Sequence, residues 1–313
     1  MSDYRIERIN EDRLKDLLQL YKASFGKTYP IRYLQNKFNT QYTGISFVGY
    51  LAYDQENQAA AYYGVFPCYI NYKGRQVLSA QSGDTMTHPA HQGKGLFTKL
   101  ARLTYDLAKE LKVQFIFGFP NANSYPGFIK KLNWKDKGAM ELYTIQVPTI
   151  PVSSLLQFFR IKHIYIHIIS KYLFNKGTTL FSYSSIQDEG FGGIDRSIEY
   201  LGYKKYEGNF TANIQNKKVW LKIDHRLIIG DLEPMSSNDF QDVVNIIRRK
   251  AILAGIRRII FITSPGTYYS AEFKKISGIH LGETIHDCYL DEYDDSIINP
   301  ANIKFTGADW DSF

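Results

Sequence analysis

Gly93 and Gly95 flank Lys94 in the run His-Pro-Ala-His-Gln-Gly-Lys-Gly-Leu-Phe at positions 88–97, a combination suited to holding a phosphate. Without a Cβ, each glycine lets an anion approach the main chain and permits backbone conformations closed to other residues. Lys94 adds a formal positive charge. Such a loop works best at a helix start, where the first backbone N–H groups lack partners and the aligned peptide dipoles add partial positive charge. Leu96, Leu100, Leu103, Leu107 and Leu111 recur at spacings of three and four, which predicts that helix. Residues 78–87 read as the strand before it. The spacing is neither the P-loop G-x-x-x-x-G-K-[ST] nor the dinucleotide fingerprint G-x-G-x-x-G. A further strand at 60–72, joined through Asn71-Tyr72-Lys73-Gly74, makes the entry a meander and not a β-α-β unit.

Gln92-Gly93-Lys94-Gly95-Leu96-Phe97 resembles the signature of the GNAT superfamily of acyl-CoA N-acyltransferases: Gln or Arg, two residues, Gly, one residue, then Gly or Ala. Phe97 departs from it at the last, small position. The element order also resembles the GNAT core, with a strand at 4–9, a helix at 11–25, strands at 45–53, 60–72 and 78–87, the signature helix, a strand at 113–119, a short helix and a final strand pair. The resemblance implies an α/β (α+β) GNAT fold with a mixed central sheet and acetyl-CoA as acyl donor. It implies that Gln92, Gly93, Lys94, Gly95, Leu96 and Phe97 hold the pyrophosphate. Backbone N–H groups near Met86 and Thr87 would polarise the thioester carbonyl, and Asn121 and Asn123 would contact the pantetheine arm.

Acetyl transfer to an amine requires the neutral amine, and an alkyl ammonium is only about one part in a thousand neutral at pH 7. A general base therefore helps. Asp84 is the nearest candidate, with a turn-holding or lysine-pairing aspartate as the competing reading. The leaving thiolate needs a proton, which the superfamily often takes from a tyrosine on the short helix. In Phe128-Ile129-Lys130-Lys131-Leu132-Asn133-Trp134, which resembles F-Y-x-K-L-G-F, the tyrosine position is Ile129 and the glycine position is Asn133. Tyr125, one turn earlier, is the substitute acid if the helix extends that far, with an acceptor-pocket or packing role as its alternative. Pro126 suits a helix start there. The carboxylate of Phe313 is a further candidate base, because larger members of the superfamily bring a chain terminus into the site. Asp309 and Asp311 would then meet substrate amines.

The 313 residues exceed one average domain, and 44% apolar residues suffice for packed cores. Three segments are expected: residues 1–148 as the acetyl-CoA-binding domain, 149–180 as a basic amphipathic connection, and 181–313 as a smaller, degenerate GNAT-like domain shaping the acceptor site. Ile31-Arg32-Tyr33-Leu34 with Lys37-Phe38 is echoed by Ile198-Glu199-Tyr200-Leu201 with Lys204-Lys205-Tyr206. Strands at 226–233, 257–263 and 279–289 and helices at 239–253 and 268–276 complete the echo. Glu233-Pro234-Met235-Ser236-Ser237-Asn238 replaces the glycine loop there, so no second CoA site is expected.

Within 155–174, one stripe carries Gln157, Arg160, His163, His167, Ser170 and Lys171, and another Phe158, Ile161, Tyr165, Ile168 and Tyr172. Such a helix either buries its apolar face in the protein or makes weak peripheral contact with an anionic membrane. His163 and His167 have metal spacing, but no third ligand lies nearby, and Cys68 and Cys288 show neither metal nor disulfide-framework spacing, so no metal is expected. The net charge of +7 comes with no nucleic-acid motif, and no leader or spanning segment is evident, which predicts a cytoplasmic protein without a nucleic-acid partner. The expected reaction is N-acetylation of a primary amine on a small molecule, such as an amino-sugar intermediate of surface polysaccharide. The alternatives are a tandem-GNAT aminoacyltransferase of peptidoglycan precursors and a non-catalytic CoA-binding regulatory module.

Overall fold

The computed structural model describes residues 4–156, 162–174, 176, 177, 182–276, 278–282, 285–291 and 297–313. In chain order the first elements are β1 (Arg5–Arg8), α1 (Leu14–Phe25), α2 (Ile31–Phe38), β2 (Val48–Tyr53), β3 (Ala59–Tyr72), β4 (Arg75–Thr87), α3 (Leu96–Glu110), β5 (Phe115–Gly118), α4 (Tyr125–Leu132) and β6 (Trp134–Gln146). Then follow α5 (Val152–Leu155), α6 (Lys162–Ile168), which continues as a π-helical turn over Ile169–Leu173, α7 (Ser185–Asp188), β7 (Gly193–Ile194), α8 (Ile198–Lys204), β8 (Phe210–Ile214), β9 (Lys217–Ile223), β10 (Leu227–Leu232), α9 (Ser237–Ala254), β11 (Arg258–Thr263), α10 (Tyr268–Lys274), β12 (Ile279–Leu281) and β13 (Ile285–Leu290).

These elements form two compact units. One comprises Met1–Ile70, Gly74–Gly138 and His286–Pro300, the other Asn71–Lys73, Ala139–Ile285 and Ala301–Phe313. In the first, the strand order is β1-β2-β3-β4-β5-β13, with β4 and β5 parallel and β13 antiparallel to β5. Strand period explains its three layers. Val48 and Ala52 of β2, with Ala61, Tyr63 and Val65 of β3, face Leu96, Leu100 and Phe128 of α3 and α4. The intervening Leu51, Tyr53, Tyr62 and Phe66 face Leu14, Leu17, Leu34 and Phe38 of α1 and α2. Between β3 and β4, Lys73 and Gly74 take φ of +50° and +74°, the pair of left-handed residues that a tight hairpin needs.

In the second unit the order is β6-β11-β10-β9-β8, with β10 and β11 parallel and β6 antiparallel to β11. Both units thus build a meander, a crossing helix, a parallel strand and a second helix in the same order. The strand that completes each sheet comes from the other half of the sequence: β13 pairs with β5, and β6 pairs with β11. This exchange is why the division departs from the expected boundaries at 148 and 181. The single strand expected at 279–289 is accordingly two, β12 on β6 and β13 on β5.

The segments around Ile31 and Ile198 are the helices α2 and α8, and each buries a lysine, Lys37 and Lys204. The expected connection at 149–180 belongs to the second unit: Ile166, Ile169 and Leu173 pack on the core that contains Val243, Ile247 and Ala251 of α9. Gln157, Phe158, Arg160 and Ile161 lie outside the described residues. No helix among the described residues is long and apolar enough to cross a membrane.

Phe313 is buried in the second unit, its ring edge-on to Trp220 with centroids 5.2 Å apart. A Cβ on Gly230 would lie 2.2 Å from the Phe313 ring. Gly230→Ala is therefore expected to cost about 1–3 kcal/mol through overpacking, read as a lowered thermal midpoint. An unchanged midpoint would mean that the Phe313 ring is held too loosely to matter.

Candidate active site

The end of β4 opens a gap beside β5. Their parallel register runs from Ser79 opposite Phe115 to Ser82 opposite Gly118, where β5 ends, while β4 continues to Thr87. Asp84 takes φ of +54°, which breaks the regular extension of β4 just past the last pair. On the other side β4 stays anchored, since His88 N donates to Ala60 O at 2.8 Å. Backbone groups of Thr85, Met86 and Thr87 therefore lie on a strand edge that β5 does not cover. That is the edge expected to polarise an acyl carbonyl. The Met86 side chain itself is buried with the α1–α2 core.

The loop that follows turns into α3. A 3₁₀ turn at Pro89–His91 is fixed by the His91 ring, whose Nδ1 lies 2.8 Å from the Tyr4 hydroxyl and whose Nε2 lies 3.3 Å from Asp54. Gly93 and Gly95 then take φ of +73° and +76°, and no side chain caps α3. Nothing lies within 4 Å of a Cβ position on either glycine, and Gln92 and Lys94 are exposed. An open, cationic helix N-terminus without an internal cap fits a diphosphate, so the residues present suit the CoA moiety. Leu96 points into the core, and Phe97 packs on Tyr63 and Phe128. Gly127 makes room for that ring: a Cβ there would be 3.1 Å from Phe97 Cε1. The large residue at the signature's small position is thus offset by a glycine on α4.

The corresponding start of α9 differs. There Ser236 caps the helix, its side chain accepting from Asp239 N at 3.2 Å.

Beyond β5, Asn121 organises the turn into α4: its Oδ1 accepts from Asn123 N at 3.0 Å and from Ser124 N at 3.1 Å. The Asn121 Nδ2 group is what this turn leaves for a ligand carbonyl, and the Asn123 side chain is exposed. The helix does extend to Tyr125, placing it one turn from Ile129, which packs on the core. Asn133 takes φ of +57° at the helix end and so does the glycine's conformational work.

Tyr125 donates its hydroxyl to Asp136 Oδ2 at 2.6 Å, and the same oxygen lies 2.7 Å from His286 Nδ1. The Tyr125 and His286 rings lie 4.1 Å apart. Burial acts to raise the Asp136 pKa, but hydrogen bonds from Tyr125, Gly138 N and His286 outweigh it and hold the carboxyl below its usual value. An ionised Asp136 only accepts, so His286 donates to it through Nδ1. The bond to Asp136 pushes the Tyr125 phenol up to about 12, with burial adding to it. All three residues belong to the first unit. In the antiparallel register that sets Cys288 opposite Gly118, His286 lies two residues past the end of β5, at the height of the β4–β5 opening. The next residue along each strand makes a second pair, Lys137 to Asp287 at 2.7 Å, on the opposite faces of β6 and β13.

Sequence reasoning singled out Tyr125 but neither Asp136 nor His286, the two residues that the structure places against it. Asp136 follows the F-Y-x-K-L-G-F-like run by two residues, which was a usable signal; His286 is 150 positions away and gave none.

Asp84 is engaged elsewhere. It pairs with the buried Lys37 at 2.7 Å, and Lys37 Nζ sits 5.0 Å from the Phe66 ring centroid. The carboxylate is thus committed to a buried ammonium. Phe313 lies in the second unit, where Asn209 Nδ2 donates to its carbonyl oxygen at 3.0 Å. Asp309 is buried there too, bound to Arg196 at 2.8 Å and closing a capping box with Thr306, so it serves the fold.

Residues 5–136 match the family of acetyltransferase (GNAT) domains. No curated protein sequence matches the chain. Among solved structures, a GCN5-related N-acetyltransferase from Kribbella flavida is 13% identical with a TM-score of 0.56, over 92% of this chain and 71% of that one. One from Anabaena variabilis is 11% identical with a TM-score of 0.55, over 92% and 72%. Saccharomyces cerevisiae N-myristoyltransferase with bound myristoyl-CoA is 11% identical with a TM-score of 0.57, over 94% and 80%. At such identities the likeness is one of fold. The family match ends at Asp136, where β6 starts to leave the first unit and where β13 must supply the last strand. Residues 5–136 belong to the GNAT acetyltransferase domain family, and through them the protein is an acyltransferase with acetyl-CoA as its donor.

Proposed function

We propose that the protein transfers the acetyl group of acetyl-CoA to the primary amine of a small molecule, with an amino sugar of surface polysaccharide synthesis as the acceptor class. The observation that carries the transfer reading is the Tyr125–Asp136–His286 cluster at the β4–β5 opening. Acetyl-CoA supplies the acyl group as a thioester. Turning the acceptor's ammonium into an amide releases two protons, of which the departing sulfur takes one and solvent the other. His286 Nε2 is the acceptor for the first proton, held in that tautomer by Asp136. Tyr125 protonates the departing sulfur and regains a proton from the acceptor nitrogen as the amide forms, and its raised pKa keeps it protonated across the working range. Asp136 joins the two, so one carboxylate orients both acid and base.

Support for a sugar acceptor comes from the aromatic group around the α1–α2 connection. Tyr29 and Tyr33 stack with centroids 4.4 Å apart, Tyr21 lies edge-on to Tyr29, and Phe25 is 49% exposed beside them. Flat rings of this kind suit a pyranose face.

The test is thiol release from acetyl-CoA with free and nucleotide-linked amino sugars, amino acids and polyamines. Release that depends on amino sugars is expected. Tight acetyl-CoA binding without release for any amine would identify a regulatory CoA-binding module instead. Gly95→Val provides the control on the donor site: a β-branched residue at φ of +76° is strained, and its side chain fills the space left for the diphosphate. We expect acetyl-CoA binding to weaken by roughly 10- to 100-fold in titration calorimetry. Unchanged affinity would place the diphosphate elsewhere.

A further inference from the structure

Apart from Phe25 and Ile198, every large apolar side chain that stands exposed among the described residues lies on one part of the second unit. Ile150, Ile164, Ile168, Tyr172, Ile252 and Leu253 are 42–75% exposed. They are neighbours because their segments are bound together. Thr149 Oγ1 donates to Ile252 O at 2.9 Å, the Tyr165 hydroxyl donates to Ala254 O, and Lys250 Nζ donates to Leu173 O. The α5 start closes over the end of α9, where a Cβ on Gly255 would lie 2.6 Å from Val152 Cβ.

The helical run from Lys162 to Leu173 has three faces. Ile166, Ile169 and Leu173 pack on the core. Ile164, Ile168 and Tyr172 recur four residues apart and point outward, as do His163, His167 and Lys171 beside them. Burial in the core therefore accounts for one apolar stripe and leaves a second. The surroundings are cationic. No Asp or Glu occurs in 142–187 or in 243–271, and Lys171, Lys176, Arg249, Arg257 and Arg258 are exposed.

We infer that this surface docks the protein on an anionic lipid bilayer, with Ile164, Ile168, Tyr172 and Leu253 entering the headgroup boundary and Lys171, Arg249, Arg257 and Arg258 meeting the lipid phosphates. An apolar stripe beside a basic one on a short surface helix is the pattern of an interfacial helix, and Tyr172 has the amphipathic ring that such boundaries favour. A carboxylate-free surround suits a uniformly negative plane. The inference is independent of the acceptor proposed above, because it concerns residues far in sequence from the donor loop.

The full-length protein is to be sedimented with vesicles of phosphatidylcholine alone and of phosphatidylcholine mixed with phosphatidylglycerol. Binding about tenfold stronger to the anionic vesicles, and reversed by salt, is expected. The double variant Ile164→Ser/Ile168→Ser should lose about tenfold in binding with an unchanged thermal midpoint, since both side chains are already exposed. Lys171→Glu/Arg249→Glu should abolish the preference for anionic lipid. No binding to either vesicle overturns the inference, as does full binding by the serine variant. Self-association that the serine variant dissolves would overturn it too and would assign the patch to a second copy of the chain.

Discussion

Tyr125→Phe is expected to lower kcat by about 100- to 1,000-fold while leaving the affinity for acetyl-CoA within a fewfold, the loss typical of removing a positioned acid. The substitution keeps the ring that lies 4.1 Å from His286 and removes only the hydroxyl, so the fold should not change. Asp136→Asn tests the same group through its pKa. The carboxylate accepts the phenol's hydrogen bond at 2.6 Å and pushes its pKa up to about 12. A neutral amide would return it toward the ordinary value of about 10. The acid acts in its protonated form, so its contribution is present below the folded pKa and lost above it. The alkaline fall in kcat is thus expected to move down in pH in Asp136→Asn, and Tyr125→Phe should show no such limb. Activity of Tyr125→Phe within threefold of the parent would remove the phenol from the mechanism.

Asp231→Ala is expected to lower the thermal midpoint by on the order of 10 °C, from a cost of about 3–5 kcal/mol. Asp231 is fully buried on β10. It receives hydrogen bonds from Ser185 N at 3.1 Å, Ser185 Oγ at 2.6 Å and Leu232 N at 2.8 Å, and it pairs with Arg196. Burial raises the carboxyl's pKa, and the Arg196 charge opposes that rise. Removing the carboxylate leaves a buried guanidinium with Asp309 as its carboxylate partner and the Ser185 donors without their acceptor. Asp231→Asn keeps an acceptor and should cost less. Scanning calorimetry decides it: a shift below about 2 °C for the alanine variant would mean that the network contributes little. Arg196 also reaches Thr306 at 2.9 Å, and separate bonds hold the residues that follow, with Lys204 donating to Trp310 O and Tyr206 to Asp311 O at 3.0 Å.

How far the sequence alone could be read depended on whether the signal was local. The glycine loop, the α3 stripe and the extension of α4 to Tyr125 rest on residues within a few positions of one another, and each lies where the spacing placed it, within a few residues. The hairpin at Lys73-Gly74 is another local signal. Element boundaries were off where a strand continued past its apolar pattern, as β4 does back to Arg75. The helix α2 read only as an echo of α8, because eight residues give too short a period to distinguish.

The Tyr125–Asp136–His286 cluster and the division of the chain had no local signal. Whether Asp84 serves as a base or holds a lysine depended on where α2 delivers Lys37, 47 positions away in the chain and 2.7 Å away in space. His286 reaches Asp136 only because β13 crosses back to pair with β5, and a strand's partner is chosen by packing and register over the whole sheet, not by its own residues. By itself, then, the sequence determined the donor: a diphosphate site is built from consecutive backbone N–H groups, which consecutive residues encode. The tertiary structure decided which side chains meet at the proposed site, because a hydrogen-bonded cluster needs residues from distant strands, and the return of β13 to β5 brings His286 to Asp136 and Tyr125.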